Sequence, residues 1–322
     1  MKVLELHHSS YTNHQKRGEA MNTPQAWTEY IHLVPALKNA VVWKSLRQWS
    51  LSEVWRVTMP GGNTMIAKKG MGENSREAAV YEHLLRPLKV DSPIIYNAIS
   101  EGSVGILLME DVKGKSVEEN PDGRYFIEAA RKLAAMRTEV RSRLANKGTG
   151  IKDVFYLKKD KLINDLVHLK KQHQLLEINQ DVNLQRALDV LPQHLEQLYK
   201  RFPVTITHND YYPKNMVGIN KTLKIIDWAN ANLSPHLGDL YCLITSAEEY
   251  GVSPKEVIDA YRNNVTEELA IDLDWQITMG GICWTIYMLR WLIDYGVDAI
   301  PEAKDWVPDM VNELERLLET LS

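Results

Sequence analysis

The run His208-Asn209-Asp210-Tyr211-Tyr212-Pro213-Lys214-Asn215 places a carboxylate two residues after a histidine and an amide five residues further on. A second carboxylate, Asp227, follows the apolar pair Ile225-Ile226. These residue types suit phosphoryl transfer, which needs a carboxylate near the attacking hydroxyl and two oxygen ligands for Mg²⁺. Asp210 is the candidate base, and Asn215 and Asp227 are the candidate metal ligands. The flanking sequence supplies a way to bring them together. Val204-Thr205-Ile206-Thr207 reads as a short buried strand that delivers His208. Met216 to Ile219 and Leu223 to Ile226 read as a hairpin around Asn220-Lys221-Thr222, which would fold Asp227 back beside Asn215.

This spacing resembles that of the aminoglycoside phosphotransferase and choline kinase superfamily, relatives of the protein kinases. The resemblance implies an α+β, protein-kinase-like two-lobed fold. A small N-terminal lobe with an antiparallel sheet and one helix would precede a larger, mainly helical C-terminal lobe. It also implies ATP (or GTP) as phosphoryl donor, with Mg²⁺. His208 joins Asp210 in the catalytic loop. Asp239, which begins a helix after Gly238, resembles the aspartate that braces this loop; a simple helix cap is the alternative, and both roles are compatible.

The upstream half carries the matching parts in order. Glu53 to Met59 and Thr64 to Lys69 read as strands joined by the turn Pro60-Gly61-Gly62-Asn63. Alternate side chains of a strand share a face. A kinase places a lysine on this strand against the nucleotide phosphates, with a small residue two positions earlier under the adenine. Ala67 and Lys69 fit that pairing, whereas Lys68 points the other way unless a bulge intervenes. Arg76 to Leu85 reads as a helix, and Glu77 in its first turn is the expected partner of the strand lysine; a favourable helix-terminal charge is the alternative. Val104 to Val112 reads as an apolar strand whose exit resembles an interlobe hinge. Met109 would lie behind the adenine, with Glu110 and Val112 beside its edge. One part departs from the family: the loop Arg47-Gln48-Trp49-Ser50-Leu51-Ser52 contains no glycine. Ser52 is the remaining candidate donor to a phosphate there.

Length and composition agree. The chain has 322 residues, 44% hydrophobic and 25% charged, with a formal net charge of -4. Such a chain can hold two cores, and its charge argues against nucleic acid as a partner. Cys242 and Cys283 lack metal-ligand spacing. No signal peptide is visible, so a cytoplasmic location is expected. The most apolar helix, Gly280 to Tyr295, contains Arg290 and is short for a membrane span. The expected division is a leader over 1–22, an N-terminal nucleotide-binding lobe over 23–112 with a hinge near 109–113, and a C-terminal lobe over 113–322. Within the last, helices are expected over Asp122 to Arg143, Leu157 to Leu176 and Leu184 to Tyr199, the third interrupted at Pro192.

Only a short stretch separates Asp227 from Asp239, too little for the peptide-seating segment of a protein kinase. A small-molecule hydroxyl is therefore the expected acceptor. Trp284, Tyr287, Trp291 and Tyr295 recur at helical spacing among nearby acids. They suit a cationic amino sugar or amino alcohol if exposed, and core packing if not. The competing class is a non-catalytic kinase-fold binding or structural protein, of the spore-coat kind. The intact Asp210, Asn215 and Asp227 favour the enzyme; the glycine-free loop favours its rival.

Overall fold

A computed structural model describes residues 23–49, 51–145, 150–172, 178–219, 222–300 and 302–321. The leader expected over 1–22, Ser50, and Asn220 and Lys221 lie outside the described residues. The N-terminal part is an antiparallel sheet of β1 (Val42–Trp49), β2 (Ser52–Thr58), β3 (Thr64–Met71), β4 (Ile95–Glu101) and β5 (Val104–Glu110), in the order β1-β2-β3-β5-β4. One helix, α1 (Arg76–Val80), continues as a wider turn over Tyr81–Leu85 and packs on this sheet.

Both faces of the sheet are covered. On one, Trp27, Val34 and Leu37 of the preceding segment pack on Trp43, Trp55, Val57, Ala67, Ile106 and Leu108. The other carries Ile66, Lys68, Leu107 and Met109 and faces α1 and the C-terminal part. Both faces of β3 are thus shielded at its centre: Ala67, Lys68, Lys69 and Gly70 are all buried. The usual alternation of apolar and polar residues has no reason to appear there.

The remainder is mostly helical. It comprises α2 (Gly123–Ala145), α3 (Lys159–Lys171), α4 (Ile178–Arg201), α5 (Gly238–Glu249), α6 (Pro254–Arg262), α7 (Leu273–Trp291) and α8 (Ala303–Glu319), with shorter turns between. The interruption expected at Pro192 does not occur: α4 runs through it. Leu184, Ala187, Leu191, Leu195 and Leu198 form one buried stripe, while Pro192 is exposed. Packing of that stripe outweighs one missing hydrogen bond on the solvent side. Among the described residues, no helix is long and apolar enough to cross a membrane.

Two small sheets hold the catalytic-type loop. β7 (Thr205–Thr207) pairs antiparallel with β10 (Asn232–Ser234), a strand not foreseen in the sequence. β8 (Met216–Ile219) pairs with β9 (Thr222–Ile225), and β6 (Lys115–Ser116) joins β8. Beneath them, Arg137 of α2 is fully buried and donates to the carbonyls of Ile206, Pro235 and His236 at 3.3, 3.2 and 3.0 Å. A buried guanidinium spends its fork on backbone carbonyls of β7 and of the segment after β10.

Candidate active site

The loop after β7 is fixed from below. Asp239, at the start of α5, accepts from the backbone N–H groups of His208 (2.7 Å) and Asn209 (2.8 Å). Burial raises its carboxyl above the ordinary value, partly countered by His208 and those two N–H groups. Gly280 of α7 permits this depth, since a Cβ there would lie 2.3 Å from the carbonyl carbon of Leu237. The His208 ring is buried. Its Nε2 lies 3.0 Å from the Ile226 carbonyl, and its Nδ1 accepts from the Asp210 N–H at 3.2 Å. Both ring nitrogens are thus engaged inside the loop that His208 shares with Asp210.

Asn209 and Asp227 both adopt left-handed backbone, with φ of 62° and 63°. Asn and Asp tolerate this conformation better than other non-glycine residues. The two reversals turn Asp210 and Asp227 out of their strands toward one place. The Ile226 N–H donates to the Asn215 carbonyl at 3.0 Å, so the two ends of the hairpin stay adjacent. Asn215 Nδ2 donates to the Asp210 carbonyl (2.9 Å) and to Asp210 Oδ2 (2.8 Å). The other Asp210 oxygen pairs with Lys214 Nζ at 3.1 Å. With its nitrogen committed to Asp210, the Asn215 amide has its oxygen to offer as a cation ligand.

From the sheet side the partner is Lys68, not Lys69. Lys68 Nζ lies 2.6 Å from Glu77 Oε2 and 2.7 Å from Asp227 Oδ1. Lys69, expected in this role, points to the opposite face. There its Nζ lies 3.2 Å from Glu53 Oε1, donates to the Ala26 carbonyl at 3.1 Å, and sits 5.1 Å from the Tyr30 ring centroid. Ala67 likewise faces the Trp27 cover, so Ile66 is the residue that shares the inner face with Lys68. β3 has no bulge. On a strand buried on both sides a small residue does not mark the inner face, and a shift of one exchanges the faces.

Glu77 reaches Lys68 because the turn before α1 lies close on the sheet. Gly70 and Gly105 are paired across β3 and β5. A Cβ on Gly70 would lie 2.2 Å from the Asn74 carbonyl oxygen, and one on Gly105 2.0 Å from that of Ser75. Burial drives the Lys68 ammonium toward neutrality, but Asp227 and Glu77 outweigh it and the net shift is upward. Burial alone would raise Asp227, yet Lys68 and then Arg47 hold it well below the usual carboxylate range.

Asp227 and the free oxygen of Asn215 make a hard-oxygen pair that fits Mg²⁺, which typically takes few protein ligands and completes its shell with phosphate and water oxygens. The charge at Asp227 is balanced here by side chains, Lys68 and Arg47, the latter 3.5 Å away.

The hinge candidates stand at the end of β5. Met109 pairs in register with Ile66 and is buried on the inner face. Glu110 ends the strand, its carboxylate accepting from the Ile94 N–H at 3.0 Å. Val112 comes after Asp111, which is buried and held by Arg56 (2.8 and 3.1 Å) and Thr64 (2.6 Å). Ser52 is buried, and its hydroxyl accepts from Trp49 Nε1, which leaves its O–H as a donor. Of the aromatic stripe, Trp284 is interior, 5.9 Å from Tyr212 and 6.1 Å from Tyr241 between ring centroids. Tyr287 lies among Arg76, Asp210 and Glu73, and burial is the main reason its hydroxyl is pushed upward. Tyr295 donates to Glu73 Oε1 at 3.2 Å.

Three cations escaped the sequence reading: Arg47, Arg76 and Lys214. Arg76 donates to the carbonyls of Ala229 and Ala231 at 3.2 and 3.1 Å, tying α1 to the segment after Asp227. Its position beside Glu77 was the available signal. For Arg47 there was none, because a bulge decides which way it points.

Residues 48–270 match the profile of the phosphotransferase enzyme family. No curated protein sequence matches the chain significantly. Among solved structures, a choline kinase from Streptococcus pneumoniae is 13% identical, with a TM-score of 0.66, covering 90% of this chain and 99% of its own. A choline kinase from Cryptosporidium parvum Iowa II is 11% identical, with a TM-score of 0.63, 91% of this chain and 97% of its own. The aminoglycoside phosphotransferase APH(2")-IIa, solved with streptomycin and ATP, is 17% identical, with a TM-score of 0.62, 92% of this chain and 99% of its own. At these identities the likeness is one of fold.

Proposed function

Because the chain belongs to the phosphotransferase enzyme family, we propose that it transfers the γ-phosphoryl group of ATP to a hydroxyl of a small cationic molecule. The observation that carries this reading is the convergence of Lys68, Glu77 and Asp227 next to the Asp210–Asn215 pair. Lys68, set by Glu77, neutralises the phosphates. Asn215 and Asp227 would hold Mg²⁺, which supplies charge neutralisation on the transferred group when bound. Asp210 orients the acceptor hydroxyl and takes its proton. Asp239 and His208 keep the loop in shape. The hinge residues Met109, Glu110 and Val112 are proposed to flank the adenine, in an N-terminal lobe over 23–112.

The acceptor class rests on the surroundings of Asp210. Tyr287 lies near both Asp210 and Glu73, and Glu73 in turn accepts from Tyr295, so aromatic and acidic groups lead away from Asp210. Fold neighbours are solved in complex with gentamicin and with streptomycin and ATP, and others are named choline kinases. An amino sugar or amino alcohol is the proposed acceptor.

The test is phosphate transfer from labelled ATP across aminoglycosides, choline-like alcohols and sugars, with Asp210→Asn alongside. The expected outcome is transfer to at least one acceptor. The variant should lose about 10²–10⁴-fold in turnover while binding Mg-ATP nearly as well as wild type. Turnover within a few-fold of wild type would remove Asp210 as the base.

A further inference from the structure

We propose that Arg47 is a phosphate-binding residue of the nucleotide site, parked on Asp227 until a divalent cation takes that carboxylate. This rests on the nucleotide-site reading above. The β1–β2 turn cannot act as a glycine cradle. It contains no glycine, and Trp49 pairs directly with Ser52, whose buried hydroxyl accepts from the Trp49 indole. The same hairpin supplies a side chain instead. Trp43 and Ser45 oppose Val57 and Trp55 on the outer face of the sheet. The register then shifts between Ser45 and Arg47, so that Arg47 opposes Val54, the residue paired with Lys68. A bulge inserts one residue and re-aims the side chains beyond it. Without it Arg47 would join Ser45 on the outer face; with it, Arg47 enters the cleft beside Lys68.

The guanidinium is under-used where it rests. Its contact to Asp227 is 3.5 Å, long beside the 2.7 Å of Lys68. Its Nε is buried without a partner, although the side chain as a whole is 34% exposed. Arginine carries five N–H donors in a planar fork that matches phosphate oxygens. The local charges balance in pairs, Arg47 and Lys68 against Glu77 and Asp227. A divalent cation on Asp227 would break that balance and repel Arg47. A polyphosphate arriving with it restores balance and gives the idle donors acceptors. Such a side-chain clamp would replace the missing backbone cradle.

Calorimetric titration of wild type, Arg47→Gln and Arg47→Lys with Mg-ATP and with adenosine tests this. Arg47→Gln should weaken Mg-ATP binding about tenfold or more and leave adenosine affinity unchanged, and Arg47→Lys should recover part of the loss. Equal or tighter Mg-ATP binding by Arg47→Gln would overturn it and leave Arg47 a mere plug on Asp227. Parallel loss of adenosine binding would also overturn it, pointing to a displaced hairpin. Failure of wild type to bind Mg-ATP at all would overturn the nucleotide-site reading and the proposal with it.

Discussion

Adjacent lysines on one strand do different work here, and substitution can separate them. Lys68 pairs with Glu77 and Asp227, while Lys69 neutralises Glu53 on the far face. Lys68→Met should lower Mg-ATP affinity about 10- to 100-fold, the scale of one or two charge-assisted contacts. Lys69→Met should leave nucleotide affinity near wild type and instead destabilise the protein by about 1–3 kcal/mol. It strands a largely buried Glu53 carboxylate, which keeps its bonds from the Trp27 and Trp55 indoles. Nucleotide titration and thermal melting of both variants check this. A larger affinity loss from Lys69→Met would contradict the observed register.

At the scale of elements, the approach of α1 to the sheet depends on the facing glycines. Gly105→Ala would force a Cβ against the Ser75 carbonyl. The turn must then lift, drawing Glu77 from Lys68. The expected cost is about 1–3 kcal/mol of stability, together with weaker Mg-ATP binding; unchanged values for both would show that the turn gives way freely. The order of elements was legible in the sequence because turns, caps and apolar runs are local signals. So was the meeting of Asp210, Asn215 and Asp227, since one short hairpin joins them. Three things were not legible. The face of Lys68 depends on a cover, Trp27 to Leu37, that removes the alternation pattern. The direction of Arg47 depends on a bulge. The strand Asn232–Ser234 is too short to read alone and exists because β7 pairs with it.

At the scale of the molecule, stability and chemistry meet in the buried shell under the loop. Burial and the neighbouring Arg137 lower the His236 imidazole from 6.5 to about 3. Its Nδ1 accepts from the Gly238 N–H at 3.2 Å. Between those values the unfolded chain binds the proton that the folded one refuses, so stability is full above about pH 6.5 and falls as pH drops through that window. Asp239, shifted upward, works in the opposite sense, so the comparison must be between variants. His236→Asn should gain on wild type by up to about 1.4 kcal/mol per pH unit as pH falls from 6.5 towards 4.5; parallel melting curves against pH would contradict this. In the proposed reaction Asp227 is where the divalent cation meets the nucleotide. The direct measurement is ATP affinity with and without Mg²⁺, in wild type and in Asp227→Ala. Mg²⁺ is expected to tighten ATP binding by wild type about tenfold or more. In the variant that dependence should vanish, with ATP alone still held by Lys68 and Arg47. Mg²⁺-independent binding by wild type, or an unaltered Mg²⁺ dependence in Asp227→Ala, would contradict it.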